Sequence, residues 1–168
     1  MFTRSEMIML QHMSHGVNTV KGLTESLEVT KPRVYALVTS LREKGAVYLD
    51  YGTIIPEKHT YLGLLMTMLH DHESLSDDLS VNGMDLLAEL LEGKTVTELS
   101  DALDEGRVAV RSRLKILKSS GLVYKDGRTY RINDALWPEL RKMISEYDVY
   151  RKTALIRHLN KLLLEKDL

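Results

Sequence analysis

The 168-residue sequence predicts a mainly α protein with small β elements (α+β), two tandem copies of one unit followed by a long C-terminal helix. Three observations predict this class. The apolar skeleton overlays itself at a shift of 76 residues. Within each copy, apolar spacing changes from helical to strand-like directly after a glycine. The last segment carries a heptad-like seam too long for one small body to cover.

The repeat is read residue by residue. Val20, Leu23, Leu27, Val34, Val38, Leu41, Gly45 and Val47 fall on Val96, Leu99, Leu103, Val110, Leu114, Leu117, Gly121 and Val123. An apolar opening helix comes first, carrying Met7, Ile8, Leu10 and Met13 in one copy and Met84, Leu87, Leu90 and Leu91 in the other. A short helix follows, "TVKGLTESL" and then "TVTELSDAL". Thr19 and Thr95 suit its N-cap, because a side-chain oxygen accepts an orphan backbone N–H. Glu98, three residues after Thr95, completes a capping box. The third helix is expected near 31–44 and 106–120, with Val34, Val38 and Leu41 or Val110, Leu114 and Leu117 as its buried stripe. Each ends at a glycine, Gly45 or Gly121, as the left-handed C′ position favours. Strands "AVYLD" and "LVYKD" come next, then turns at Gly52 and Gly127, then "TIIP" and "TYRIN".

Between the copies, "YLGLLMTML" (61–69) reads as a helix closing the first unit, buried or part of an interface. The polar, acidic stretch 70–83 reads as a linker or loop. The expected boundaries are a first unit over 1–72, a linker over 73–83, a second unit over 84–134 and a C-terminal helical segment over 135–168. In that segment Leu136, Leu140, Met143, Tyr147, Tyr150 and Ala154 form the seam, which then slips to Leu155, Leu159, Leu162 and Leu163. Trp137-Pro138 at its start fits a first-turn proline after an anchoring aromatic.

The run "TVTELSDALDEGRVAVRSRLKILKSSGLVYKDGRTYRI" (95–132) resembles winged helix-turn-helix regulators of the MarR and ArsR type, through its helix-turn-helix, its "LKxLxxxGLV"-like helix end and its wing. The first copy, "TVKGLTESLEVTKPRVYALVTSLREKGAVYLDYGTIIP", resembles them more loosely; together the two cover about 7–61 and 84–132. The resemblance implies two tandem winged helix-turn-helix domains, with the third helix in the DNA major groove and the wing along phosphate or the minor groove. It would aim Arg107, Ser112 and Arg113 at bases, with Arg111, Lys115 and Lys118 nearer the flanks or backbone. It also implies a homodimer held by terminal helices, here through Leu136, Leu140, Met143, Tyr147, Tyr150, Leu155, Leu159 and Leu162. The alternative is a helix folded back across both units of one molecule.

Charge gives an independent reading. The formal net charge is −1, which argues against nonspecific coating of nucleic acid. It is unevenly placed: residues 103–132 carry eight Lys/Arg against three Asp/Glu. Arg107, Arg111, Arg113, Lys115 and Lys118 surround a thin apolar stripe on the third helix, and Lys125, Arg128 and Arg131 flank the hairpin. Arginine suits bidentate contacts with guanine or phosphate. Cations late in a helix also complement its macrodipole and pair with neighbouring acids, so a plain solvated face is the alternative. Copy one is the weaker reader. Lys31, Arg33 and Ser40 share its surface with Pro32, Tyr35, Ala36 and Leu37, which leaves room for a protein partner instead.

Other classes find no support in the residues. The chain has no cysteine, and neither a phosphate loop nor a nucleophile elbow, so no enzyme activity and no cofactor are expected. His70 and His72 are two apart and would not share a helix face, so no metal site is expected. No stretch reads as a membrane span, and a cytoplasmic protein is the expectation. The leading function is a sequence-specific, double-stranded DNA-binding transcriptional regulator with a near-palindromic site. The rivals are a tandem winged helix protein-interaction scaffold and, using the same basic patch, an RNA binder.

Overall fold

Each repeat unit holds a short helix started by a threonine cap. A computed structural model describes residues 2–80 and 82–166. Its helices α1 (Arg4–Ser14), α2 (Val20–Ser26) and α3 (Lys31–Glu43) lead into the hairpin β1 (Val47–Asp50) and β2 (Thr53–Pro56). Helices α4 (Thr60–Asp71) and α5 (Leu75–Asp78) follow. The opening order then recurs as α6 (Gly83–Glu89), α7 (Val96–Leu103), α8 (Arg107–Ser119), β3 (Val123–Asp126) and β4 (Thr129–Ile132), and α9 (Leu140–Lys166) ends it.

Thr19 and Thr95 cap α2 and α7, and Thr95 with Glu98 forms the full capping box. The same box at Thr3 and Glu6 starts α1, a signal the sequence carries and the expectations omitted. Helices α3 and α8 stop where Gly45 and Gly121 turn left-handed, at φ +66° and +72°, a conformation that costs other residues about 1–2 kcal/mol. Both hairpins are antiparallel two-stranded ribbons, pairing Val47 with Pro56 and Val123 with Ile132 at their open ends. Ile54 N–H donates to the Asn18 carbonyl and Lys94 N–H to the Tyr130 carbonyl, so each hairpin is stitched to the residue just before the cap of its second helix.

The two units share one core. Leu23, Val34, Val38, Leu41 and Ile54 of the first join Leu99, Val110, Leu114, Leu117 and Ile132 of the second through α4, α6 and α9 in one continuous cluster. The stretch expected as a linker belongs to it. Leu75 and Leu79 are fully buried, and α5 packs on α1. An i, i+4 leucine pair outweighs the polar residues around it.

Helix α9 corrects a second expectation. Leu140, Met143 and Tyr147, expected at a dimer seam, are buried in the molecule's own core against α4 and α6. Tyr150 is half-buried there and donates to the Lys44 carbonyl at 3.0 Å. Tyr147 donates to Asp85 at 2.7 Å, while Arg151 bridges Glu89 at 2.7 Å, so the helix clamps both units. Leu136 is exposed in the turn before α9, and Pro138 lies in that turn rather than in the helix. Thr153, Ala154 and Arg157 still line a cavity with Lys58, His59, Thr60 and Tyr61, while Leu155, Leu159 and Leu162 stay exposed. Among the described residues, no helix is long and apolar enough to cross a membrane.

Candidate nucleic-acid interface

The cations of the second unit converge because three elements meet there. The start of α7 (Thr95, Val96, Thr97), Arg111 of α8, and Lys125, Arg128 and Tyr130 of the hairpin line an open cleft of about 470 Å³. Lys125 sits opposite Tyr130 in the ladder, with its ammonium 5.8 Å from the ring centre. Arg128 follows Gly127 at the hairpin tip, where φ is +60°. The first turn of α7 carries the Glu98 carboxylate, which takes the Thr95 N–H at 2.7 Å, so the positive field of the cleft rests on Arg111, Lys125 and Arg128.

Helix α8 extends this field. Arg107, Arg111, Ser112, Lys115 and Lys118 are all exposed. At 100° per residue, Arg107, Arg111, Lys115 and Lys118 fall within about 80° of the helix circumference. Among the described residues, Arg107, Arg111, Lys115, Lys118, Lys125 and Arg128 make no ion pair. Their charge is therefore available to a ligand, whereas Arg131 lies 3.6 Å from Asp126 on its own hairpin.

Arg113 stands apart. Its guanidinium is 2.6 Å from Glu105, and only 24% of its side chain is exposed. Asn82 also donates to Glu105, at 3.2 Å. Arg113 thus braces α8 against the preceding turn, and its expected place toward bases is corrected. The helical phase explains this. Arg113 lies on the side of Val110 and Leu117, away from the other cations.

Copy one places its expected contacts differently. Lys31 is exposed and lies 5.9 Å from the centre of the Tyr35 ring. Arg33 is exposed but reaches back to Ser5 of α1, at 3.5 Å. Ser40 faces inward and donates to Glu6 at 2.6 Å, so it is no surface contact. Glu6 is 1% exposed and also takes Lys44 at 2.6 Å and the Thr3 N–H at 2.6 Å. Burial pushes its carboxyl up, but hydrogen bonds from Lys44, Ser40 and Thr3 and the lysine charge together hold it below its usual value. Leu37 is buried.

Sequence reasoning missed an exchange of chemistry between the copies. At the shift of 76, Arg111 matches Tyr35, Lys125 matches Leu49, and Arg128 matches Gly52. Tyr35 and Leu49 are both exposed, and Tyr51 at the hairpin tip is fully so. The overlay at 76 residues carries this signal in its exposed positions.

The histidines disperse. His70 lies against His15 with tilted rings whose centres are 4.3 Å apart, and His72 meets Trp137 edge-on at 4.6 Å. Among the described residues, no group of three or more His, Asp or Glu side chains is placed to hold a metal ion. No protein-family model matches the sequence, and neither does any curated protein.

Proposed function

We propose that this chain is a tandem winged helix-turn-helix protein that binds double-stranded DNA and regulates transcription. In this reading α8 lies in the major groove and the β3–β4 hairpin is a wing on the backbone. The observation that carries it is the set of unpaired cations on α8 and the β3–β4 hairpin, gathered beside the cleft of a protein of net charge −1. Arg111, Lys125 and Arg128 would hold a phosphate in the cleft. Arg107 and Ser112 are the candidates for base edges. The exposed Val108 and Ile116 beside them suit thymine methyl groups.

Genomic-fragment selection at about 50 and 200 mM salt tests this reading, since each phosphate contact releases counterions and steepens the salt dependence. The expected result is enrichment of a common sequence that Arg111→Ala with Lys125→Ala abolishes. Arg113→Ala should leave the selected sequence unchanged. Failure of the folded protein to enrich any fragment at either salt would reject DNA reading. A protein-interaction scaffold would then lead, favoured by the exposed Tyr35, Leu49 and Tyr51 of copy one.

A further inference from the structure

A second cleft has the opposite character to the cationic one. It lies between the end of α4 and the turn that leads into α9, and encloses about 360 Å³, room for a small organic molecule. Met68, Asp71 and His72 come to it from the α4 side, and Leu136, Trp137 and Glu139 from the turn. The fold holds the indole of Trp137 in this lining. Gly121 ends α8 with φ +72°, and a side chain there would press on Leu136, so the glycine leaves room for the Leu136–Trp137 pair. His72 meets the indole edge-on, with ring centres 4.6 Å apart. Leu136 remains 60% exposed, an apolar surface the molecule itself does not cover.

Charge selects the ligand. Asp71 and Glu139 are exposed, and among the described residues neither carboxylate is in an ion pair. No lysine or arginine is among the described residues that line the cleft, so the field there is negative. An anion is repelled, and a neutral ligand gains nothing from the carboxylates. A small divalent ion is no better suited. Two carboxylates do not replace the six or so oxygens of its hydration shell, and among the described residues no group of three His, Asp or Glu side chains is placed to hold a metal. A bulky organic cation spreads its charge, sheds water easily and is attracted to an aromatic face. Met68 and Leu136 suit the hydrocarbon part of such a molecule.

We propose that this cleft binds an organic cation, a quaternary or protonated amine that carries an aryl or short alkyl group. Its charge lies against Trp137, and Asp71 and Glu139 supply the counter-charge. The site is separate from the cationic cleft and stands whether or not that cleft meets DNA.

Trp137 is the chain's one tryptophan, so its emission reads the site directly. The probe is benzyltrimethylammonium, whose charge does not depend on pH, titrated into the full chain without DNA. The wild type should show a saturable change in emission with a dissociation constant on the order of 100 μM. Phenylacetate and benzyl alcohol, similar in size but negative or neutral, should bind at least about 10-fold more weakly. Asp71→Asn with Glu139→Gln should weaken the probe by about 10-fold, while its emission without probe and its far-UV spectrum stay those of wild type. Trp137→Leu, followed by calorimetry, should weaken it by about 5-fold. Arg111→Ala with Lys125→Ala should bind the probe as wild type does, which separates this proposal from DNA reading. A wild type that gives neither a saturable emission change nor heat of binding at about 10 mM probe overturns the proposal. So does equal binding of the three compounds, or undiminished binding by the carboxylate double variant, the marks of a merely apolar cavity.

Discussion

The two halves of the molecule are one scaffold carrying two different surfaces. Val34, Val38 and Leu41 match Val110, Leu114 and Leu117 in position and burial, and Thr19 matches Thr95 as a cap. Outside, the match fails. Where copy two sets Arg111 and Lys125 around a cleft, copy one sets Tyr35 and Leu49. Leu37 and Arg113 also coincide, and both turn inward, one into the core and the other onto Glu105. Packing constrains the buried positions of both copies alike. The exposed positions are free of that constraint, and they diverge: cations in copy two, aromatic and aliphatic side chains in copy one.

The strongest way to break the comparison is to test whether the halves fold together. Leu41→Ala and Leu117→Ala each remove a fully packed side chain at matching sites, and each should cost about 2–5 kcal/mol. Because the core is continuous across α4 and α9, both variants should still unfold in one transition at a lowered denaturant midpoint. Two transitions, with only the mutated half destabilised, would show that the units are energetically separate.

The surfaces can be exchanged. Removing Arg111 and Lys125 together should weaken duplex binding about 10- to 100-fold and lower the salt slope by about two. The reverse graft, Tyr35→Arg with Leu49→Lys, should give copy one phosphate affinity that restores part of this loss. Titration of labelled duplex against the three proteins reads both effects. No recovery in the grafted protein would mean that the shape of the cleft, and not its charge alone, separates the copies.

The copies also differ in their acid response. Glu6 matches Asn82 at the shift of 76, so only copy one has a carboxylate there, bonded to Lys44, Ser40 and Thr3. Its carboxyl is lowered from 4.5 on folding. The stability it contributes is therefore fully present above pH 4.5 and is lost as pH falls through the lowered folded value. Glu6→Gln should cost about 2 kcal/mol at neutral pH, as hydrogen bonds to a charged group do. Urea unfolding at several pH values should show the gap to wild type closing in acid. A gap that stays constant would mean that the charge contributes nothing.

Much of this was legible in the sequence, for identifiable reasons. The helix stripes, the threonine caps and the glycine stops are local, and local chemistry places them without knowledge of the fold. Periodicity puts Leu140, Met143 and Tyr147 on one stripe, expected at a dimer seam, but it does not name the surface that covers the stripe. Here α4 and α6 cover it. Arg113 and Ser40 looked like surface residues because charge and polarity were counted without helical phase. Glu105 and Glu6, the partners that turn them inward, lie outside their own helices.

The smallest predicted effect lies at the hairpin tips. Tyr51 has φ +45° and Gly52 +84°, so copy one turns through two left-handed residues, the first a bulky one. In copy two the left-handed position matched to Tyr51 is Gly127, and Arg128 needs no such conformation. Left-handed backbone costs a non-glycine residue about 1–2 kcal/mol, and Asn-Gly is the favoured pair for a turn of this kind. Tyr51→Asn should therefore stabilise the protein by about 0.5–1 kcal/mol, seen as a raised urea midpoint at unchanged slope. Gly127→Ala should lower it by a similar amount. A tyrosine fully exposed in a strained turn stabilises nothing it touches within the molecule. If Tyr51→Asn gains stability and still binds duplex as wild type does, the Tyr51 side chain serves neither folding nor duplex binding.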